Sequence, residues 1–417
     1  MLHRFVNRLV SLSLLAALPS SAVAVADEVQ WENATLPVTL TVGYAVRALD
    51  MNSDGKTDIA IVDSKRILWL ENPTWKEHVI FETPEAKADN VCFAPHDVDG
   101  DGLLDFGIGA DWQPNNSDSG GSIGWLRQTK SGPWEYRLIS TEPTVHRMHW
   151  VETAPGKTSL VVAPLKGRGS RAPGFEQTPL RLLAFTPPKS FHPAGSNDID
   201  AWQQEVLCDQ LHVAHNFHIT DLDLDSQPDL ICASYEGATW LKLAGQSLPV
   251  KPLRLGTGQE QAPPARGASE IRIGRSAGGR RFLVTIEPWH GDKVVVYVEP
   301  EGWAPSADAT LWNRYVIDSE LAWGHAIAVA NLDSDPEDEF VIGVRDNQSD
   351  AHRCGVRVYD STDKNGEKWE RTILDPSAVA VEDLVIADFD ADGRKDIVAV
   401  GRATHNAKIY FNRLPTK

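Results

Sequence analysis

Three histidines occupy equivalent positions in separate repeats of this chain, where their side chains could bind a metal ion together. His215 and His325 lie six residues before the first residue of a recurring acidic loop, and His146 has the corresponding place in a repeat that has lost its loop. Glu382 holds this position in the last repeat. Imidazole is a common ligand of divalent transition metals. We predict that the three histidines share a metal such as Zn²⁺ or Mn²⁺, with Glu382 as a fourth ligand or a partner of a ligand. The alternative is a metal-free set of acid–base and hydrogen-bonding groups.

The recurring acidic loops form a second set of candidate ligands. Their pattern, Asp-x-Asp-x-Asp-Gly-x-x-Asp, places hard oxygen ligands around a tight glycine turn, which suits Ca²⁺. We expect this calcium to be structural. Ser226 and Pro336 replace the glycine in the fourth and sixth repeats, so those two sites are expected to be weaker. The predicted calcium ligands are Asp50, Asn52, Asp54 and Asp58; Asp97, Asp99, Asp101 and Asp105; Asp221, Asp223, Asp225 and Asp229; and Asp388, Asp390, Asp392 and Asp396.

The spacing of the loops predicts the elements that carry them. Five loops begin at residues 50, 97, 221, 331 and 388, the fourth of them being Asn331-x-Asp333-x-Asp335-x-x-x-Glu339. The gaps are 47, 124, 110 and 57 residues, so the two long gaps each hold a degenerate repeat, giving seven units. Most units end in a short alternating segment that opens with tryptophan. The last unit lacks this segment, and a matching one begins at Trp31. The chain is therefore predicted to be all-β, a seven-bladed β-propeller in which an N-terminal strand completes the last blade.

The N-terminus has the features of a secretory signal. Arg4 and Arg8 precede an apolar stretch from Leu9 to Leu18, and small residues follow. We predict a signal peptide at residues 1–26, a propeller at 27–417, and a secreted or periplasmic protein without a membrane span. The formal net charge of -18 argues against a nucleic-acid partner. The four cysteines are expected to be buried thiols, with a Cys208–Cys232 bridge as the alternative. The oligomeric state is left open.

Two family resemblances follow from these motifs. The acidic loops resemble FG-GAP/VCBS repeats, which implies a calcium-stabilised propeller. The segment VAVGRATHNAKIYFN at residues 398–412, with the His-bearing strand starts, resembles the propeller part of the aldos-2-ulose dehydratase family. That resemblance implies an exported carbohydrate-active lyase that eliminates water from a keto-sugar or a glycoside.

β-Elimination requires a base, a group that stabilises the enolate and an acid for the leaving oxygen. We expect His290 or His405 to be the base, and Arg402 or Tyr235 to hold the enolate or protonate the leaving hydroxyl. A His-bound metal would polarise the carbonyl. The competing hypothesis is a non-catalytic propeller that binds glycans or proteins.

Overall fold

The computed structural model describes residues 29–84, 89–193, 196, 200–306, 309–333, 335–345 and 354–413. These residues form 28 strands, and no helix among them is long and apolar enough to cross a bilayer. The predicted signal peptide lies outside the described residues. The first strand is β1 (Gln30–Thr35).

The other strands follow in chain order, four to a sheet. Blade one is β2 (Gly43–Leu49), β3 (Asp58–Asp63), β4 (Arg66–Glu71) and β5 (Lys76–Glu82). Blade two is β6 (Cys92–His96), β7 (Asp105–Ala110), β8 (Ser122–Arg127) and β9 (Glu135–Thr141). Blade three is β10 (Val145–Ala154), β11 (Lys157–Pro164), β12 (Leu180–Thr186) and β13 (Gln203–Leu211). Blade four is β14 (Asn216–Thr220), β15 (Asp229–Ser234), β16 (Gly237–Leu241) and β17 (Leu253–Gly256).

The last three blades repeat this arrangement. Blade five is β18 (Glu270–Arg275), β19 (Arg281–Glu287), β20 (Lys293–Val298) and β21 (Asn313–Asp318). Blade six is β22 (Gly324–Ala330), β23 (Glu339–Val344), β24 (Gly355–Ser361) and β25 (Trp369–Asp375). Blade seven is β26 (Val381–Ala387), β27 (Asp396–Gly401) and β28 (Ala407–Arg413), and its outer strand is β1, which pairs antiparallel with β28. The predicted seven-bladed propeller, closed by the N-terminal strand, is confirmed.

The innermost strands β2, β6, β10, β14, β18, β22 and β26 contact one another in sequence around a complete ring. The second strand of each blade is buried along nearly its whole length, so these strands carry continuous apolar runs such as Ile59–Val62 and Ile397–Val400. Burial of these runs between adjacent blades supplies the main stabilisation of the fold. Cys92, Cys208 and Cys232 are buried free thiols, so the Cys208–Cys232 bridge is not formed.

Candidate functional site

Irregular pairing in four of the innermost strands sets the direction of one side chain in each strand, at one mouth of the central channel that the ring of strands encloses. The pairing of β2 with β3 skips Tyr44, and that of β10 with β11 skips His146. The same shift skips His325 in β22 and Glu382 in β26. A β-bulge leaves one residue unpaired and changes the direction of its side chain. The sequence position predicted from the repeats therefore coincides in four blades with a bulge.

Three imidazoles meet at this mouth. His215, His290 and His325 each offer a ring nitrogen, and these nitrogens all lie within 4.8 Å of one another. The Nε2 atoms of His215 and His290 are 2.9 Å apart. The ring centroids of His215 and His325 are 4.9 Å apart, and those of His290 and His325 are 4.8 Å apart. We refer to these three residues as the His cluster.

Hydrogen bonds behind the His cluster fix which nitrogen faces inward. His215 Nδ1–H donates to Glu270 Oε1 at 2.7 Å, and His325 Nδ1–H donates to the backbone carbonyl of Glu382 at 2.5 Å. With Nδ1 protonated in both rings, each Nε2 carries a lone pair, and that of His215 accepts a hydrogen bond from His290 Nε2–H at 2.9 Å. A carboxylate or carbonyl that accepts the outer N–H is the usual support for a metal-ligating histidine. This donor set fits a divalent transition metal with three protein ligands and an open position.

His146 lies beside the cluster without joining it. Its ring centroid is 4.5 Å from that of His215, and its other face stacks on Trp112 at 4.8 Å. Both ring nitrogens of His146 are buried and have no hydrogen-bond partner among the described residues. The buried indole nitrogen of Trp289, whose ring stacks on His290, is likewise without a partner. Unsatisfied buried polar groups are costly, and a ligand in this region would supply partners for these nitrogens.

The carboxylate of Glu382 is hydrogen-bonded by two arginines. Its Oε2 accepts a hydrogen bond from Arg345 at 3.2 Å, and its Oε1 accepts one from Arg402 at 3.0 Å. Oε1 is 3.7 Å from His325 Nε2. Of the two roles considered for Glu382, this geometry favours that of a partner behind the site. The guanidinium of Arg402 also lies 5.2 Å from the centre of the Tyr44 ring.

Burial sets the electrostatics of the four imidazoles. The pKa of each of His146, His215, His290 and His325 is held well below its usual value, first by burial and then by nearby guanidinium groups or neighbouring imidazoles. Neutral imidazole is the form that binds a metal and the form that accepts a proton. Burial likewise raises the pKa of the Tyr44 hydroxyl, which keeps it protonated.

These side chains line a cavity of about 750 Å³. Trp112, Trp289 and Trp323 contribute aromatic surface, and Trp323 at the rim is 57% exposed. Of the predicted site residues, His146, His215, His290, His325, Glu382 and Arg402 all line this cavity. The proposed base His290 lies within the His cluster, a position that the sequence did not anticipate.

Two predicted catalytic residues lie elsewhere. The Nδ1 of His405 is bonded to the carbonyl of Thr41 at 2.8 Å, and its side chain is exposed. Tyr235 is buried among Leu165 and Val213 behind the cavity wall. Neither is among the residues that line the cavity. Their loops leave the strand ends in directions that residue spacing does not encode.

The sequence did not reveal the bulges or the role of Glu270 as the partner of His215. Gly43 and Gly324, each directly before a bulged residue, were the available signal, since an isolated glycine in a strand often marks a bulge. A Cβ on Gly43 would lie 2.7 Å from Leu40 Cδ1, and one on Gly324 would lie 2.8 Å from Leu321 Cδ1. A side chain at either position would therefore force the neighbouring leucine to move.

Four acidic loops share one backbone geometry. The first aspartate of each accepts the N–H of the sixth residue through Oδ2, at 2.8 to 2.9 Å. The sixth residue has a positive φ in every case, including Ser226 at 67°. The serine that replaces glycine therefore leaves the fourth loop unchanged in shape. Calcium ligation by these loops stays a prediction.

The last aspartate of each loop is buried. Its Oδ2 accepts the backbone N–H of the residue after the first aspartate, as Asp58 does from Met51 at 2.9 Å. Burial raises the pKa of Asp105, Asp229 and Asp396 to about 6. These buried carboxylates therefore stabilise the turn between the first two strands of each blade. In loop two, the carboxylate oxygens that lie close enough together to bind one ion are those of Asp97, Asp99 and Asp101. In loop four they are those of Asp221, Asp223 and Asp225.

This geometry defines the class of protein: a seven-bladed propeller with a His-lined cavity at one mouth of its channel. The family model for "Aldos-2-ulose dehydratase, beta-propeller domain" matches residues 120–300, and that for an FG-GAP-like repeat matches residues 50–108. The chain is 24% identical over 401 residues to aldos-2-ulose dehydratase of Phanerodontia chrysosporium, a match that covers 89% of this chain and 41% of that protein. The chain thus spans less than half the length of this relative. The resemblances inferred from the sequence are confirmed.

Solved structures share the fold. A chain from the crystal structure of BBS1N in complex with ARL6DN has a TM-score of 0.50 and 14% identity, and the match covers 94% of this chain and 97% of that one. A chain of a mitotic checkpoint complex has a TM-score of 0.53 and 9% identity, with coverage of 98% and 99%. At such identities the similarity extends to the propeller alone.

Proposed function

We propose that this chain is an exported carbohydrate-active lyase that removes water from a keto-sugar or a glycoside by β-elimination in the His-lined cavity. The similarity to aldos-2-ulose dehydratase supports a carbohydrate-related propeller. The observation that carries the proposal is the His cluster, in which two imidazoles have their outer N–H groups bound to acceptors and direct Nε2 inward. The cavity of about 750 Å³ is large enough for a sugar, and its aromatic walls suit a sugar ring.

The donor set fits a divalent metal held by His215, His290 and His325. Such an ion, when bound, supplies Lewis-acid polarisation of a carbonyl oxygen. The Trp289 ring stacks on His290 and the Trp112 ring stacks on His146, so these two rings shield the imidazoles from water and orient the substrate.

Proton transfers are assigned to side chains beside the cluster. Neutral His146, with both nitrogens unpartnered among the described residues, accepts the proton α to the carbonyl. The electron pair of that C–H bond forms the new double bond as the β C–O bond breaks. The Tyr44 hydroxyl, beside Arg402, donates a proton to the departing oxygen, so that an unsaturated ketone and water are formed. This gives His146 and Tyr44 the roles that the sequence had suggested for His405 and Tyr235.

The test combines metal analysis with turnover. Purified protein is analysed by mass spectrometry for bound metals and incubated with a panel of keto-sugars, with enone formation followed by ultraviolet absorbance. We expect about one transition-metal ion per chain and turnover of at least one substrate. The double variant His215→Ala/His325→Ala should lose both, and His146→Gln should lose turnover while retaining the metal. His78→Ala, a change on the outer strand β5, is the control and should retain both.

Circular dichroism and thermal unfolding establish whether each variant is folded. A protein that holds no transition metal and a folded double variant that remains active would each overturn the proposal. Glycan binding without turnover on any substrate would favour the second candidate, a non-catalytic binding propeller, for which the exposed ring of Trp323 at the cavity rim is the supporting observation.

A further inference from the structure

A second cavity lies further along the channel, on the side of the acidic loops. It has a volume of about 300 Å³ and is lined by residues from all seven innermost strands. Its residues follow those of the His-lined cavity along the same strands: Arg47 comes after Tyr44, His149 after His146, and His218 after His215. We refer to it as the lower cavity.

Basic groups outnumber acidic ones in the lower cavity. Arg47, Arg147 and Arg272 line it, and Asp383 is the carboxylate among its lining residues. Asp383 accepts a hydrogen bond from Arg47 at 3.2 Å. Glu270, directly behind the wall, is 3.8 Å from Arg147 and 3.9 Å from Arg272, and it is already bonded to His215 and Asn216. The lower cavity thus gathers three guanidinium groups within a chain whose formal net charge is -18.

Most donors of these arginines remain available. Among the described residues, the guanidinium of Arg272 donates one hydrogen bond, to the Ile271 carbonyl at 2.7 Å, and that of Arg147 donates one, to the His146 carbonyl at 3.3 Å. A guanidinium carries five N–H donors in a fixed planar arrangement. The side chains of Arg47 and Arg272 are 24% and 21% exposed, so neither is fully covered by protein.

The remaining polar groups do not neutralise this charge. His149 and His218 line the lower cavity, and the pKa of each is lowered, first by burial and then by nearby arginines. Both imidazoles are therefore neutral. Burial is the main cause that lowers the pKa of Arg272, and repulsion from Arg47 and Arg147 adds to it, while Glu270 and Asp383 act in the opposite direction. Three like charges at close range favour a bound counter-ion, because charge-assisted hydrogen bonds to an anion replace this repulsion.

We propose that the lower cavity binds a small oxyanion of one or two negative charges, held jointly by Arg47, Arg147 and Arg272. Guanidinium groups recognise carboxylate and phosphate-like oxygens through paired N–H bonds. A volume of about 300 Å³ accommodates an inorganic oxyanion or a small dicarboxylate and excludes an oligosaccharide. The proposal is independent of catalysis in the His-lined cavity.

Titration calorimetry with sodium sulfate and, separately, sodium malonate tests this site at constant ionic strength in chloride. We expect saturable binding of about one anion per chain. Preference for sulfate identifies a tetrahedral oxyanion as the ligand type, and preference for malonate identifies a carboxylate. Arg272→Gln should weaken binding at least about tenfold, since charge-assisted hydrogen bonds of this kind contribute that much or more.

Asp383→Asn provides a second test, in which the anion affinity should rise and not fall. It removes the carboxylate that competes with the anion and should tighten binding several-fold, and it does not depend on the stability of the arginine variant. Arg254→Gln, on the outer strand β17, is the matched control and should leave the affinity unchanged. The proposal is overturned if neither anion binds saturably to the wild-type protein, if Asp383→Asn weakens binding, or if Arg254→Gln weakens it as much as Arg272→Gln.

Discussion

Glu270→Gln tests the assignment of the His cluster as a metal site. The Glu270 side chain is 1% exposed; Oε1 accepts from His215 at 2.7 Å, and Oε2 accepts from the Asn216 amide at 2.6 Å. Glutamine has the same shape but only one acceptor atom, so one of these donors would face an N–H group. His215 then loses the charged acceptor that fixes its tautomer. Loss of such a partner lowers metal affinity about 10- to 100-fold, or about 1.4–2.7 kcal/mol.

The assay is a zinc titration of chelator-treated protein in competition with a chromophoric chelator. We expect the zinc Kd of Glu270→Gln to be about 10- to 100-fold above that of the wild type. Glu142→Gln is the matched control, because Glu142 is 2% exposed, pairs with Arg168 and Arg181, and does not line the cavity. Thermal unfolding in zinc-free buffer corrects for any loss of folded protein. An unchanged Kd for Glu270→Gln, or an equal loss in Glu142→Gln, would refute the reasoning.

Three further predictions concern stability. Ser226→Gly should stabilise the protein by about 0.5–1 kcal/mol, because glycine adopts a φ of 67° without strain. Ser247→Gly, in an exposed loop, is the control and should not stabilise the protein; chemical denaturation measures the free energy of unfolding of both variants. Addition of about 1 mM Ca²⁺ should raise the free energy of unfolding by about 0.4–1.4 kcal/mol per occupied loop if Kd is about 10⁻⁴–10⁻³ M. An unchanged Tm would contradict calcium binding by the acidic loops. His218→Gln should reduce the loss of stability on acidification from pH 7 to pH 5 by about 2 kcal/mol, measured by urea unfolding. The folded imidazole has a pKa of about 3, so only the unfolded chain takes up this proton near pH 6; equal pH slopes would contradict it.

The fold was accessible from the sequence because each blade carries several independent markers. The acidic turn, the buried run that follows it and the tryptophan at the outer strand recur in a fixed order. Because the last unit lacks its outer strand, the segment at Trp31 was predicted to supply that strand. The structure pairs Trp31 with Asn412 of β28, as predicted. Repetition converts weak local signals into a strong prediction, because every unit must satisfy the same packing.

The site was only partly accessible for a physical reason. Counting residues along equivalent strands brought His146, His215 and His325 to one mouth of the channel. Hydrogen-bond partners from different blades are not encoded by such counting, so the link from His215 to Glu270 was missed. Loop directions depend on individual backbone angles, and His405, at a φ of 56°, is directed to Thr41 and away from the cavity.

The pairing of β1 with β28 ties residues near the two ends of the described chain into one sheet. During synthesis β1 is made before β28, so it cannot pair with that strand until the blades between them have been made. Until then its backbone amides and carbonyls have no strand to pair with. Any process that holds the early segment back, such as threading through a pore or capture by a chaperone, thereby postpones closure of the whole circle. Pairing of β1 with β28 therefore cannot come before the synthesis of β28.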